Sequence, residues 1–145
     1  LFHRHPAAAR RRLRVSGNSG GAVVETDPFL VQRVVANMLV NAFEASPEGG
    51  EVVLAIEAGV RDVAFRAWNR GVIPAGVAPR IFQRYFSTKG SDGRGHGTFV
   101  MKHFGEKVLH GRVRYTSTQA GRTTVELVIP RSILRAWASP SSGAA

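Results

Sequence analysis

The chain has 145 residues, enough for one domain with a real hydrophobic core and too few for two comfortable ones. Its 20 Lys and Arg against 10 Asp and Glu give a formal charge of +10, which points to phosphates, nucleic acid or acidic protein surfaces without choosing among them. Cysteine is absent, which excludes disulfides and thiolate zinc sites, and no apolar run approaches the ~20 residues that span a bilayer. The chain therefore reads as soluble. Leu1 in place of an initiating Met suggests a piece of a longer protein.

Residues 1–12, with Arg10, Arg11 and Arg12 in a row, read as a basic segment or linker ahead of a domain expected over 13–137. "LRVSG" and "GAVVET" read as two short strands around the turn-rich "GNSGG". A helix of about five turns follows: Asp27 suits its N-cap and Pro28 its first position, and Pro47, Gly49 and Gly50 end it. Leu30, Val34 and Met38 with Val31, Val35, Leu39 and Ala42 make its buried face. "EVVLAIEA" and "RDVAFRAW", separated by "GV", read as an antiparallel hairpin. An irregular stretch runs to Gly97, and a second helix spans about Thr98 to Leu109, with Val100, Phe104 and Val108 as its apolar stripe and Gly111 beyond its end. "RVRYTST" and "TTVELVIP" supply a last strand pair, and residues 138–145 have the composition of a disordered tail. This order gives an α/β (α+β) two-layer sandwich, a mixed and largely antiparallel sheet covered by helices on one face.

Two asparagines inside the first helix need a reason, because each forgoes roughly half a kcal/mol of helix propensity relative to Ala. Asn37 and Asn41 stand one turn apart on one side, with Arg33 a turn before and Glu44 nearly a turn after, so they form a polar ridge. An amide offers a neutral oxygen to a hard cation and an NH2 group to a phosphate, which suits Mg²⁺ carried by nucleotide phosphates. Taken alone, a solvated helix face with two incidental asparagines accounts for them as well.

The stretch "STKGSDGRGHGT" adds weight. Gly93, Gly95 and Gly97 alternate just before the second helix, where backbone N–H groups approach a phosphate closely and the helix start favours negative charge, with Lys89 and Arg94 adding charge nearby. In "AFRAWNRGVIP" a strand runs into Asn69 and then Gly71, presenting a polar side chain where a flat ring could come close.

In this order the segments resemble the ATP-binding domain of sensor histidine kinases, a Bergerat-type fold in the superfamily shared with type II topoisomerases, MutL-like repair ATPases and a heat-shock chaperone. "NMLVNAFEA" resembles the N box, "WNRGVIP" the first glycine box, "IFQRYFSTKG" the phenylalanine box, "GRGHGTFVMKHF" the second glycine box and "TTVELVIP" the closing strand, together covering roughly residues 13 to 130. The resemblance implies that Asn41 ligates Mg²⁺, that Asn37 binds near the phosphates, that Asn69 recognises the adenine amino group and that Gly93, Gly95 and Gly97 cradle the phosphates. It adds Gly71, Ile73, Phe86, Thr88, Arg94, His96, Thr98 and Thr124 as further nucleotide contacts, and groups Lys89 with Asn37 and Asn41 as the catalytic set.

The chain departs from the family pattern in several places. Asn69 stands where Asp is usual, which keeps an acceptor and loses a charge. "NRGVIP" is one residue short and lacks a second glycine; His96 replaces a common Leu in what should be a short lid; Arg122 stands where Gly is common. The superfamily's ATP hydrolases usually carry Glu at the place of Asn37. An amide cannot take a proton from water, so Asn37 favours phosphoryl transfer to an acceptor through positioning. Glu44 reads as a surface residue rather than a base.

The implied activity is transfer of the γ-phosphate of Mg-ATP to a histidine on a separate dimerisation domain, with a response regulator as the further partner and neither nucleic acid nor membrane contact. His3 and His5 lack the following acid of an acceptor box, and His103 and His110 read as ordinary helix-end residues. Two other functions compete. One is an anti-sigma-factor-like serine kinase, which would usually carry Glu in place of Asn37. The other is a degenerate, non-catalytic module whose basic surface holds an acidic partner or nucleic acid.

Overall fold

A computed structural model describes residues 6–70, 100–117 and 122–132. Its frame is a five-stranded sheet in the order β1-β2-β3-β5-β4, with β1 at Arg12–Ser16, β2 at Glu51–Ala58, β3 at Asp62–Arg70, β4 at Arg112–Ser117 and β5 at Thr123–Pro130. β1 runs parallel to β2 and every other pairing is antiparallel, which is the mixed, largely antiparallel sheet expected. β5 shows why the sequence makes a two-sided strand: Thr123, Val125, Leu127 and Ile129 are buried and the residues between them are half-buried.

The helix layer rests on that face. Helix α1 spans Pro28–Glu44, and Asp27 caps it by accepting from the N–H groups of Phe29 and Leu30 through Oδ1, at 2.9 and 3.1 Å. Its Val34, Met38, Leu39 and Phe43 pack with Val52 and Leu54 of β2, Val63 and Ala67 of β3 and Val125, Leu127 and Ile129 of β5 to form the core. On the opposite face Arg66 of β3 bonds both Glu57 of β2 and Glu126 of β5. Those carboxylates, Glu126 first and Glu57 second, hold the guanidinium above its ordinary pKa.

Residues 6–11 are strapped to this unit. A 3₁₀ turn at Pro6–Ala8 sets Ala7 and Ala8 against the core, and the guanidinium of Arg11 donates to the carbonyls of Ser46 at 2.9 Å and Ala7 at 3.0 Å. Arg11 thus sits at the C-terminal end of α1, where a cation complements the helix dipole. No described helix is long and apolar enough to cross a membrane.

Three local expectations are corrected. "GAVVET" forms no strand beside β1; only Glu25 makes an isolated bridge, to Ser132. The longer β2 takes the place next to β1 with five paired positions, and left-handed Gly20 and Gly21 (φ 52° and 69°) turn the intervening chain away. The β2–β3 turn holds Gly59, Val60 and Arg61 rather than two residues, closed by the Gly59 N–H to the Asp62 carbonyl at 2.8 Å.

The second helix differs more. Beyond residue 102 it is a π-helix, His103–Val108, and the buried positions are Met101, Gly105 and Leu109 instead of Val100, Phe104 and Val108; Val108 is 38 % exposed. Gly105 explains the shift, since a Cβ there would lie 2.6 Å from Val113 Cγ2 and 3.1 Å from Leu127 Cδ1. Lacking one, the helix lays its backbone flat on β4 and β5, so the face carrying the glycine turns inward and the larger apolar stripe moves to the rim.

Candidate functional site

The polar ridge of α1 is graded in depth. Arg33 and Glu44 at its two ends are exposed, Asn37 is half-buried, and Asn41 is 8 % exposed. Asn41 faces the segment that follows the glycine-rich stretch: its Nδ2 donates to Sδ of Met101 at 3.7 Å. Toward the start of the ridge, the guanidinium carbon of Arg33 lies 5.4 Å from the Phe104 ring centroid, and the His103 ring meets Phe104 edge-on at 5.5 Å. The ridge is therefore the seam between α1 and the π-helix, a helix form that recurs at functional sites.

A second cluster lies where β3 ends. Asn69, 1 % exposed, donates through Nδ2 to the carbonyl of Ala45, the C-cap of α1, at 3.3 Å, and its Oδ1 accepts the N–H of Thr123 at 3.3 Å. Ala45 in turn donates its N–H to the carbonyl of Asn41 at 3.0 Å. A continuous run of hydrogen bonds thus links Asn41, Ala45, Asn69 and the start of β5. Beside Asn69 the Thr123 Oγ1 is buried without a hydrogen-bond partner among the described residues, an orphan of the kind that ligands or ordered water usually satisfy.

Strand alternation separates Thr123 from Thr124. Trp68 pairs with Thr124, so these two share one face of the sheet, while Asn69 and Thr123 share the helix-covered face. Thr123 is a candidate site residue that the sequence reading did not name. The inward Val125, Leu127 and Ile129 of "TTVELVIP" carried the parity that assigns it.

Of the residues named from sequence, Asn37, Asn41, Asn69 and Thr124 are described. Gly71, Ile73, Phe86, Thr88, Lys89, Gly93, Arg94, Gly95, His96, Gly97 and Thr98 lie outside the described residues, as do His3 and His5. His103 opens the π-helix, His110 follows it in a left-handed conformation (φ 54°), and Arg122 is exposed just before β5. Among the described residues no group of three His, Cys, Asp or Glu is placed to hold a metal ion, so a cation at the ridge would rely on amide oxygen and on oxygens brought by its ligand.

The family profile described as "Histidine kinase-, DNA gyrase B-, and HSP90-like ATPase" matches residues 26–133. The sensor kinase CckA of Brucella abortus is 32 % identical over 127 residues, a match that covers 76 % of this chain and 13 % of CckA. The chain thus spans a small fraction of that relative's length. Among solved structures, the nucleotide-free catalytic domain of the histidine kinase ThkA shares the fold at a TM-score of 0.71 with 24 % identity, covering 91 % of this chain and 86 % of that one. ThkA in complex with the response regulator TrrA aligns at a TM-score of 0.67 with 22 % identity, covering 90 % of this chain and 37 % of that one.

Proposed function

Since this chain belongs to the histidine kinase-, DNA gyrase B-, and HSP90-like ATPase family, we propose that it is the ATP-binding catalytic domain of a two-component sensor histidine kinase. Its reaction is transfer of the γ-phosphate of Mg-ATP to a histidine on a dimerisation domain, from which a response regulator draws the phosphoryl group. The domain occupies residues 13–137 with the 6–12 segment strapped to it, and it works in the cytoplasm. The observation that carries this reading is the seam between the asparagine ridge and the segment that follows the glycine run, fastened by Asn41 on Met101. In the sequence Gly97 precedes Met101 by only four residues.

Asn41 would hold Mg²⁺ through its side-chain carbonyl oxygen, the atom of an amide that can ligate a hard cation. A cation that keeps only one or two protein ligands beside its phosphate oxygens fits a ridge with a single buried amide. When bound, the ion neutralises charge on the phosphates. Asn37, half-buried one turn away, offers NH2 to a phosphate oxygen and no base to a water, which leaves Lys89 and the N–H groups of Gly93, Gly95 and Gly97 to position the phosphoryl group for an acceptor. Asn69 and Thr123 close the base end.

The test is phosphotransfer. The domain, γ-labelled ATP and the His-bearing segment of its own full-length protein should give acid-labile phosphohistidine, lost with Asn41→Ala. An acid-stable phosphoserine product, or no transfer at all, contradicts the proposal.

A further inference from the structure

Asp is the residue the family usually places at position 69, and a return to Asp would be expected to restore tight adenine binding. The hydrogen bonds around Asn69 say otherwise. Its Nδ2 meets a carbonyl, that of Ala45, at 3.3 Å, and its Oδ1 meets an N–H, that of Thr123, at 3.3 Å. One side needs a donor and the other an acceptor, and a primary amide is the short side chain that supplies both. A carboxylate keeps the Thr123 bond but turns its second oxygen against the Ala45 oxygen. In a site where residue 69 is 1 % exposed, two facing acceptors and a buried charge are both costly.

We propose that Asn69 is a neutral positioning residue matched to the open C-terminal end of α1: it fastens Ala45 to Thr123, and through the Ala45–Asn41 bond it sets the seat of Asn41, so that Asp at this position disables the site rather than improving it. This rests on the nucleotide reading above for its functional half; the clamp itself does not need a nucleotide. The elements around position 69 bear few charges. Arg11 is bonded to the Ser46 carbonyl, Glu44 is exposed at the end of α1, Glu51 begins β2, and Arg122 is exposed ahead of β5; the residue facing Asn69 from β2 is Val52. Both of these Asn69 bonds go to backbone groups, whose charge does not change with pH.

Protonation distinguishes this from generic loss of packing. Once protonated, the carboxyl introduced by Asn69→Asp carries an O–H that can donate to Ala45 as the amide does. Burial and the facing carbonyl raise the folded-state pKa of that carboxyl, so the penalty of Asn69→Asp is full above the raised pKa, shrinks as pH falls below it and is gone near the ordinary aspartate value. Asn69→Ala has no such proton and should show no recovery.

The experiment melts nucleotide-free wild type, Asn69→Asp and Asn69→Ala at pH 8 and pH 5.5, then titrates each with Mg-ATP. At pH 8 the Asp variant should melt at least about 5 °C below wild type and bind Mg-ATP about tenfold more weakly. At pH 5.5 both gaps to wild type should be smaller than at pH 8 for Asp and unchanged for Ala. An Asp variant folded only at pH 5.5 would support the clamp equally. Melting at or above wild type at pH 8, or a gap independent of pH, overturns the clamp; a destabilised Asp variant with unchanged ATP affinity overturns its positioning role. Failure of the wild type itself to bind Mg-ATP counts against the kinase reading, while the melting comparison still judges the clamp.

Discussion

Asn41 and Met101, 60 positions apart in sequence, are joined by the Nδ2 hydrogen bond to Sδ at 3.7 Å. A thioether is a weak acceptor, so the contact steers the amide more than it stabilises the fold. Steering matters because the two ends of an amide differ: the oxygen can ligate a cation and the NH2 group cannot.

Asn41→Ala is therefore expected to weaken ATP binding by at least about tenfold in the presence of Mg²⁺, with the fold retained, and to differ little from wild type in EDTA. Calorimetric titration in both buffers checks this. Met101→Leu keeps apolar bulk, removes the acceptor, and should produce a smaller loss of the same sign.

Gly105→Ala tests the packing that shifts the second helix. The added methyl would meet Val113 Cγ2 at 2.6 Å and Leu127 Cδ1 at 3.1 Å, and overpacking of this kind costs about 1–3 kcal/mol. Val108, 38 % exposed, should tolerate Ala within about 0.5 kcal/mol. Urea unfolding of the two variants compares them directly; a Val108 variant hurt more than the Gly105 one would restore the register expected from sequence.

Asp27→Ala removes an oxygen that serves two N–H groups at the start of α1, and should cost about 1 kcal/mol by the same measurement. Asp27→Ser should recover most of it.

Arg66 lies on the solvent face, its side chain 35 % exposed, between Glu126 and Glu57. Its folded-state pKa is raised, so the stability it adds is fully present below the ordinary arginine value and fades only as pH climbs through the higher folded one. Between pH 7 and 9 the stabilities of wild type and Arg66→Met should then run parallel. Added salt should narrow the gap between them, which for a pair this exposed is of order 1 kcal/mol or less. Denaturant midpoints across pH and NaCl concentration provide the check; a gap that widened with pH over this range would contradict the assignment.

Sequence was informative where local rules decide structure and weaker where distant partners do. Asp27 and Pro28 announce the start of α1 without help from the rest of the chain, and the alternation of β2, β3 and β5 is visible in their residues. "GAVVET" has strand composition, yet whether it pairs depends on β2, 25 or more residues away, already occupying the adjacent place. The stripe Val100, Phe104, Val108 is a true helical period, and only the approach of Val113 and Leu127 reveals that Gly105 is the inward position. At the site, the two asparagines of α1 stand out because Asn disfavours helices. That Asn69 answers to Ala45 is a matter of tertiary geometry, which no spacing along the chain encodes.

The central claim is that the ridge of α1 and the glycine run hold one magnesium–triphosphate group. A crystal structure of the domain grown with Mg²⁺ and a non-hydrolysable ATP analogue tests it most directly. The expected result is the Asn41 carbonyl oxygen about 2.1 Å from the ion, with the triphosphate against the backbone of Gly93, Gly95 and Gly97 and the base beside Asn69 and Thr123. A nucleotide bound elsewhere, or an ion with Asn41 outside its coordination, would contradict it.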